Sequence, residues 1–172
     1  MIFKSPCPPL DYQKQSIPTL LLATLDAVPE RVALIDAATG RQVTAGMVAD
    51  HARRIASALV QRGFKRGDVF GVVAPNVVEY AEILIGIWLA GGIATTINPL
   101  ATADELASQF AETKTRLAVT VAPLLEKVLD GARRAGVAEV FSLGGGAGAT
   151  DYPALLQAPV TPFTVAVNPL RD

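Results

Sequence analysis

Residues 67–99, GDVFGVVAPNVVEYAEILIGIWLAGGIATTINP, decide the fold of this chain. Val69–Val73 is a continuous apolar run of strand length, and Ile93–Thr96 is the next predicted strand. The segment 77–90 between them is apolar nearly all round, which predicts a buried helix. The stretch therefore predicts a strand–helix–strand unit whose two strands are parallel.

Residues typical of helix ends lie on both sides of the predicted helix. Asn76 followed by Glu79 resembles a capping box and predicts the start of the helix, and Gly91-Gly92 predicts its end. A second pair with the same spacing, Thr102 and Glu105, predicts the start of the next helix. The carboxylates Asp104-Glu105 are thus explained as first-turn residues that the helix dipole favours.

The alternation continues beyond this unit. Strands are predicted over 117–120 and 138–142, with a helix after Pro123 that Gly136 ends. Strand and helix thus recur about every 24 residues from Val69 onward, which indicates βαβ units. The predicted fold class is α/β, a doubly wound and mostly parallel sheet with helices on both faces.

Three segments organise the chain. An irregular leader covers 1–16, an α/β subdomain covers 17–142, and a Gly/Pro-rich tail without periodicity covers 143–172. The early part of the subdomain predicts a helix over 17–28, a hairpin of strands 32–35 and 42–44, and an amphipathic helix over 45–62.

Composition and charge exclude several classes of function. Lys plus Arg total 15 and Asp plus Glu total 16, so the chain has no basic excess for binding nucleic acid. The single cysteine, Cys7, excludes an internal disulfide and a Cys-based metal site. Neither a secretory signal nor an apolar run long enough to span a membrane occurs, and a cytoplasmic location is expected.

The candidate sites are few. Gly144-x-Gly146-x-x-Ala149 fits a dinucleotide-binding pattern, but the residues after it leave no room for the long helix that pattern needs, so a flexible loop is predicted. His51 is the only histidine and is expected to be a surface or boundary residue. The sequence therefore predicts no catalytic, cofactor-binding or metal-binding residue.

Five segments in order resemble a known family. They are Val28–Leu34, the helix segment Arg54–Leu59 with Gly63, the run over 67–80 that resembles "GD-V-…-PN-x-x-E", the run over 90–99 that is similar to "GA-…-NP", and Thr102 to Leu106. Together they are similar to the N-terminal part of AMP-forming acyl-CoA ligases of the coumarate–CoA and fatty-acyl–CoA kind. The resemblance covers about residues 17–142 and is carried by the combination of segments, since each alone has a structural explanation.

This resemblance implies a two-step reaction in the full-length parent. A fatty or aromatic carboxylic acid reacts with ATP and magnesium to give an acyl-adenylate, and CoA then displaces AMP. The family's Ser/Thr/Gly-rich phosphate loop ending in Lys, its adenine and ribose motifs and its C-terminal catalytic lysine do not occur in the 172 residues. The chain alone is therefore expected to be inactive, with the missing remainder of the ligase as its partner.

Two other interpretations stay open at this level. The chain could be a stand-alone nucleotide-binding domain that uses the glycine tract, or a non-catalytic protein-interaction module. The apolar segment Tyr80–Leu89 and the missing covering parts also predict self-association.

Overall fold

The computed structural model of the chain describes residues 15–161. The leader up to residue 14, including Cys7, and the last eleven residues lie outside this range. In chain order the elements are α1 (Ile17–Ala27), β1 (Val32–Ile35), β2 (Gln42–Thr44), α2 (Ala45–Gln61), β3 (Val69–Val73), α3 (Glu79–Leu89), β4 (Ile93–Thr96), α4 (Ala103–Thr113), β5 (Thr115–Val121), α5 (Leu125–Ala135), β6 (Glu139–Leu143), β7 (Thr150–Asp151) and α6 (Pro153–Leu156). A single 3₁₀ turn, Ala122–Leu124, joins β5 to α5.

The central sheet has five strands in the order β4-β3-β5-β6-β7, and every neighbouring pair is parallel. The chain therefore winds outward in one direction from β3 to β4 and in the other from β5 to β7. This is the doubly wound arrangement, in which the winding direction reverses between β3 and β5. The α/β fold predicted from the sequence is confirmed.

Successive strand residues face opposite sides of the sheet, and each side has its own core. On one side, Phe70, Val119 and Phe141 pack against α2 and α3. On the other side, Val73 and Ala118 belong to a core that α4 and α5 cover. Helices on both faces explain why these strands are nearly continuous apolar runs.

The α1 helix and the antiparallel β1–β2 hairpin form an outer layer on α2 and α3. Val43 of the hairpin lies in a small core with Val48 of α2 and Ile85 of α3, against which Leu22 and Leu25 of α1 pack. The hairpin predicted from the sequence is confirmed.

The structure confirms one predicted helix cap and contradicts another. Thr102 and Glu105 form the expected reciprocal capping box at the start of α4. Asn76 caps nothing, because α3 begins two residues later than predicted, at Glu79, with Val78 at the cap position and no side-chain cap. The Glu79 carboxylate instead pairs with the Arg41 guanidinium across from the hairpin.

The tail that lacks periodicity contributes two elements that its sequence did not indicate. Strand β7 extends the sheet by pairing with the end of β6. Tyr152 and Leu155 follow it and are buried in the core on the α2–α3 side. The chain is therefore packed on the subdomain well beyond residue 142.

Candidate functional site

The carboxyl ends of β3 and β5 form the position at which open α/β sheets bind ligands, because the crossovers diverge there and leave a crevice. The loop after β3 exposes Pro75 and Asn76 at this edge, and the 3₁₀ turn after β5 exposes Ala122 and Pro123. These residues offer one amide side chain and no ionisable group. By fold geometry this edge is the candidate functional site.

A lysine of α5 holds the neighbouring loop, which follows β4. Lys127 of α5 donates from Nζ to the carbonyl oxygens of Pro99 and Ala101, at 2.6 and 2.8 Å. The Asn98 side chain accepts a hydrogen bond from the Leu100 amide at 2.9 Å, which closes the turn. This lysine therefore positions a loop instead of presenting its charge to a ligand.

The glycine tract after β6 is packed against its own chain. A Cβ atom at Gly146 would lie 2.3 Å from Cδ2 of Leu125, and one at Gly148 would lie 3.1 Å from Cδ1 of Leu129. The Ser142 hydroxyl donates to the Gly145 carbonyl at 2.7 Å. The helix that follows, α6, has four residues, so the long helix of the dinucleotide-binding pattern is not there.

A pocket of about 590 Å³ lies near the opposite end of the sheet, between α5 and the segment that leads into β7. Its lining includes Arg133, Val137, Glu139 and Thr150. The Glu139 carboxylate is already engaged, since it accepts from the Thr150 hydroxyl at 2.8 Å and pairs with Arg62 at 3.2 Å. The carboxylate of this pocket is thus not free for chemistry.

The described cations and carboxylates at this edge do not point to a binding site for ATP or magnesium. The cation beside the carboxyl edge, Lys127, donates to two carbonyls. Between residues 15 and 161 no three His, Cys, Asp or Glu side chains come together in a way that could hold a metal ion. We therefore derive no catalytic step from this part of the chain.

A buried polar cluster lies on the α2–α3 side of the sheet. Glu82 of α3 is 3% exposed, and its carboxylate accepts hydrogen bonds from two residues. The Tyr152 hydroxyl donates to Oε1, and His51 of α2 faces Oε2 through Nδ1 at 2.8 Å. No described buried side-chain polar atom lacks a hydrogen-bond partner, so this cluster is fully satisfied.

The electrostatics of the cluster follow from burial and from the carboxylate. The hydrogen bond to Glu82 raises the pKa of His51 above its usual value, against the opposing effect of desolvation. Burial, followed by the Glu82 charge, raises the pKa of Tyr152 far above its usual value. Tyr152 is thus a permanent hydrogen-bond donor to Glu82, whereas His51 can gain or lose its charge.

The structure places His51 at the boundary of the protein, as predicted, but it also gives this residue a carboxylate partner that the sequence did not reveal. Glu82 and Tyr152 were missed altogether. One signal could have indicated Glu82: it is a carboxylate within the otherwise apolar segment 80–89, and a charge inside a buried helix needs a partner.

No helix between residues 15 and 161 has the length and apolarity to cross a membrane. The cytoplasmic location expected from the sequence stays a prediction.

The chain matches the family model of the AMP-binding enzymes over residues 22–154. It is 38% identical over 128 residues to a 4-coumarate–CoA ligase-like protein of Arabidopsis thaliana. It is 35% identical over 133 residues to a probable 4-coumarate–CoA ligase of Dictyostelium discoideum. These alignments cover 74% and 77% of this chain but 24% of each relative, so the chain spans about a quarter of the length of the relatives it matches.

Solved structures agree with the fold. A long-chain-fatty-acid–CoA ligase from Archaeoglobus fulgidus superposes with a TM-score of 0.86 at 23% identity, over 99% of this chain and 35% of that one. The N-terminal domain of FACL13 from Mycobacterium tuberculosis superposes with a TM-score of 0.77 at 22% identity, over 89% of this chain and 39% of that one.

The fold and the sequence together define the class: the chain is a doubly wound α/β unit of the kind found in adenylate-forming ligases. It belongs to the family of AMP-binding enzymes. The resemblance inferred from the sequence is thereby confirmed.

Proposed function

We propose that this chain is the N-terminal α/β subdomain of an acid–CoA ligase. In the complete enzyme a fatty or aromatic carboxylic acid is activated with ATP to an acyl-adenylate, and the acyl group is then transferred to CoA. The observation that carries the proposal is the 38% identity to a coumarate–CoA ligase-like protein, together with the share of 24% of that protein. A quarter of a ligase with this fold supplies scaffold and loops to a larger active site.

We further propose that the chain alone forms no adenylate. Phosphoryl and adenylyl transfer depend on cations and backbone donors placed around the developing charge. The sequence has no Ser/Thr/Gly-rich run that ends in Lys, and Lys127 is committed to carbonyl oxygens. These groups would have to come from the rest of the ligase.

The activity test compares the 172-residue chain with the complete product of its gene. ATP-dependent release of pyrophosphate is measured with matched panels of fatty and aromatic acids, each with a no-acid blank. We expect no release above the blank from the chain alone, and acid-dependent release from the longer protein. The panel that gives release decides between fatty and aromatic substrates.

Two results would contradict the proposal. Adenylate formation by the chain alone would show that it carries its own phosphate site. A gene that stops after Asp172 would remove the ligase proposal and favour a stand-alone nucleotide-binding or interaction domain. A Ser-Gly-Thr-Thr-Gly-x-x-Lys type loop encoded further on would support the ligase.

The predicted self-association needs a different surface from the one first inferred. The residues of the apolar helix α3 are buried or half-buried, because α2, the hairpin and α1 pack against it. Helix α1 instead exposes Ile17, with 66% of its surface accessible, together with Leu20 and Leu21. We propose that the chain self-associates through α1.

Light scattering over a range of concentrations tests this prediction. We expect the mass of the wild-type chain to rise with concentration, and the double variant Leu20→Glu/Leu21→Glu to remain monomeric. Leu100→Glu is the matched control, because Leu100 is an exposed leucine that lies outside α1, in the loop after β4. A wild-type chain that is monomeric at every concentration would contradict the prediction.

A further inference from the structure

After β7 the chain packs along α2, and we call residues 152–161 the strap. Leu155 of the strap is fully buried in the core. At its far end the Thr161 amide donates to the hydroxyl of the buried Ser57 at 3.2 Å, and between them the Arg54 side chain reaches the Leu156 carbonyl at 3.5 Å. The strap is therefore joined to α2 at intervals along its length.

The first attachment of the strap, through Tyr152, differs from the others because it contacts a carboxylate that is paired with a histidine. Tyr152 reaches across to Glu82, and the same carboxylate is paired with His51. We call these three residues the clasp. The clasp joins α2, α3 and the strap through one buried carboxylate, so a change in the charge of His51 acts on the packing of all three.

The other charged groups around the clasp are already paired. Arg41, which precedes β2, is bonded to Glu79, one turn before Glu82 on α3. On α2, Asp50 and Arg54 lie on either side of His51 and are bonded to each other at 2.7 Å. The positive charge in direct contact with the Glu82 carboxylate is therefore that of protonated His51.

We propose that the clasp is a pH-sensitive latch: protonated His51 holds α2 against α3, the two helices on which the strap packs, and loss of that proton loosens this contact and the strap with it. Neutral His51 can still donate from Nδ1, so the bond weakens instead of vanishing. What is lost is the charge that compensates a buried carboxylate, and hydrogen bonds between charged groups are about twice as strong as neutral ones.

The direction of the pH dependence follows from the raised pKa of His51, whose main cause is the bond to Glu82. A group with a higher pKa in the folded state stabilises that state fully below its unfolded pKa. An unperturbed histidine has a pKa of about 6.5. The stabilisation is then lost as pH rises through the folded value, so the latch is closed in mild acid and loosens in mild alkali.

The test is hydrogen exchange on the full 172-residue chain between about pH 6 and pH 9, where a histidine changes charge. Protection factors are corrected for the intrinsic pH dependence of exchange. We expect protection of the strap amides to fall about tenfold across this range, the effect of weakening one charged hydrogen bond. Amides of β5, which lies in the centre of the sheet, report global unfolding and measure the part of the change that comes from overall stability.

Three variants separate the latch from general stability. His51→Gln keeps a hydrogen-bond donor without a charge, so its strap should show the high-pH behaviour at every pH. Glu82→Gln should also abolish the pH step. Tyr152→Phe should lower strap protection at every pH but retain the step, because His51 and Glu82 remain paired.

His51 is the only histidine in the chain, so its NMR titration needs no assignment and gives a second readout on the wild type. We expect its pKa to lie above the unfolded value and to fall toward or below that value in Glu82→Gln. Strap protection that is constant across the pH range, or that changes equally in His51→Gln, would overturn the proposal. A His51 pKa at or below 6.5 in the wild type would also overturn it.

Discussion

Replacing Phe70 with alanine is expected to lower the free energy of unfolding by about 3–5 kcal/mol, the range for deleting a buried aromatic ring. Phe70 has no exposed surface and lies on β3, at the middle of the core on the α2–α3 side. Its ring centroid is 6.2 Å from that of Phe141, in a stacked arrangement, and 6.2 Å from that of Phe64, edge to face. The truncation removes both contacts and leaves a cavity between β3, β6 and α2.

Urea unfolding measures this effect, and Ile93→Ala is the matched control. Ile93 is a large apolar residue on the neighbouring strand β4, where it is 54% exposed and pairs in register with Val69. Its truncation should cost less than about 1 kcal/mol, since a half-exposed side chain loses little burial. Equal losses at the two positions would show that the aromatic cluster is not the centre of the core.

The strands that could be predicted from the sequence are those that a local sequence pattern marks. Val69–Val73 and Ile93–Thr96 were predicted with the bounds that the structure has. Val69–Val73 is covered on both faces and is therefore a continuous apolar run, whereas Ile93–Thr96 is an edge strand marked by the glycine pair before it. Strand β7 could not be predicted in this way. Thr150–Asp151 has two residues, and its pairing depends on the free edge of β6 instead of on its own sequence.

The helix ends also include one that the sequence predicted correctly and one that it did not. Thr102 and Glu105 were identified because both halves of a capping box lie within four residues. The Asn76–Glu79 pair has the same spacing but fails, because Glu79 is taken by Arg41, 38 residues earlier in the chain. A local pattern predicts a cap only when no distant partner competes for the side chain.

The clasp could not be predicted from local sequence patterns, because its residues lie far apart in the chain. His51 and Glu82 are 31 residues apart, and Glu82 and Tyr152 are 70 apart. Tyr152 also belongs to a tail with no periodicity. The sequence shows only that Glu82 is out of place in an apolar helix, and the fold alone shows which residues satisfy it. The scaffold was thus predictable, whereas the polar cluster was not.

Replacing Gly86 with valine is expected to lower the free energy of unfolding by about 3 kcal/mol, at the upper end of the range for overpacking a core. Gly86 is buried in the middle of α3, where α2 comes close. A Cβ atom there would lie 2.6 Å from Cγ2 and 2.7 Å from Cβ of Ile55, and 3.1 Å from the Ala52 carbonyl oxygen. The valine side chain fits only if α2 and α3 move apart, because Ile55 is itself fully buried and has no space to move into.

The control for this variant is Ala111→Val, which places the same side chain on an exposed position of helix α4 and should cost about 0.5 kcal/mol or less. Gly86 and Ile55 lie one helical turn beyond Glu82 and His51, so separating the helices at the glycine also lengthens the 2.8 Å contact in the clasp. We therefore expect Gly86→Val to lower strap protection and flatten its pH dependence, although it alters no ionisable group. A variant that unfolds as easily as Ala111→Val, or that keeps the full pH step, would show that the two helices can part without disturbing the clasp.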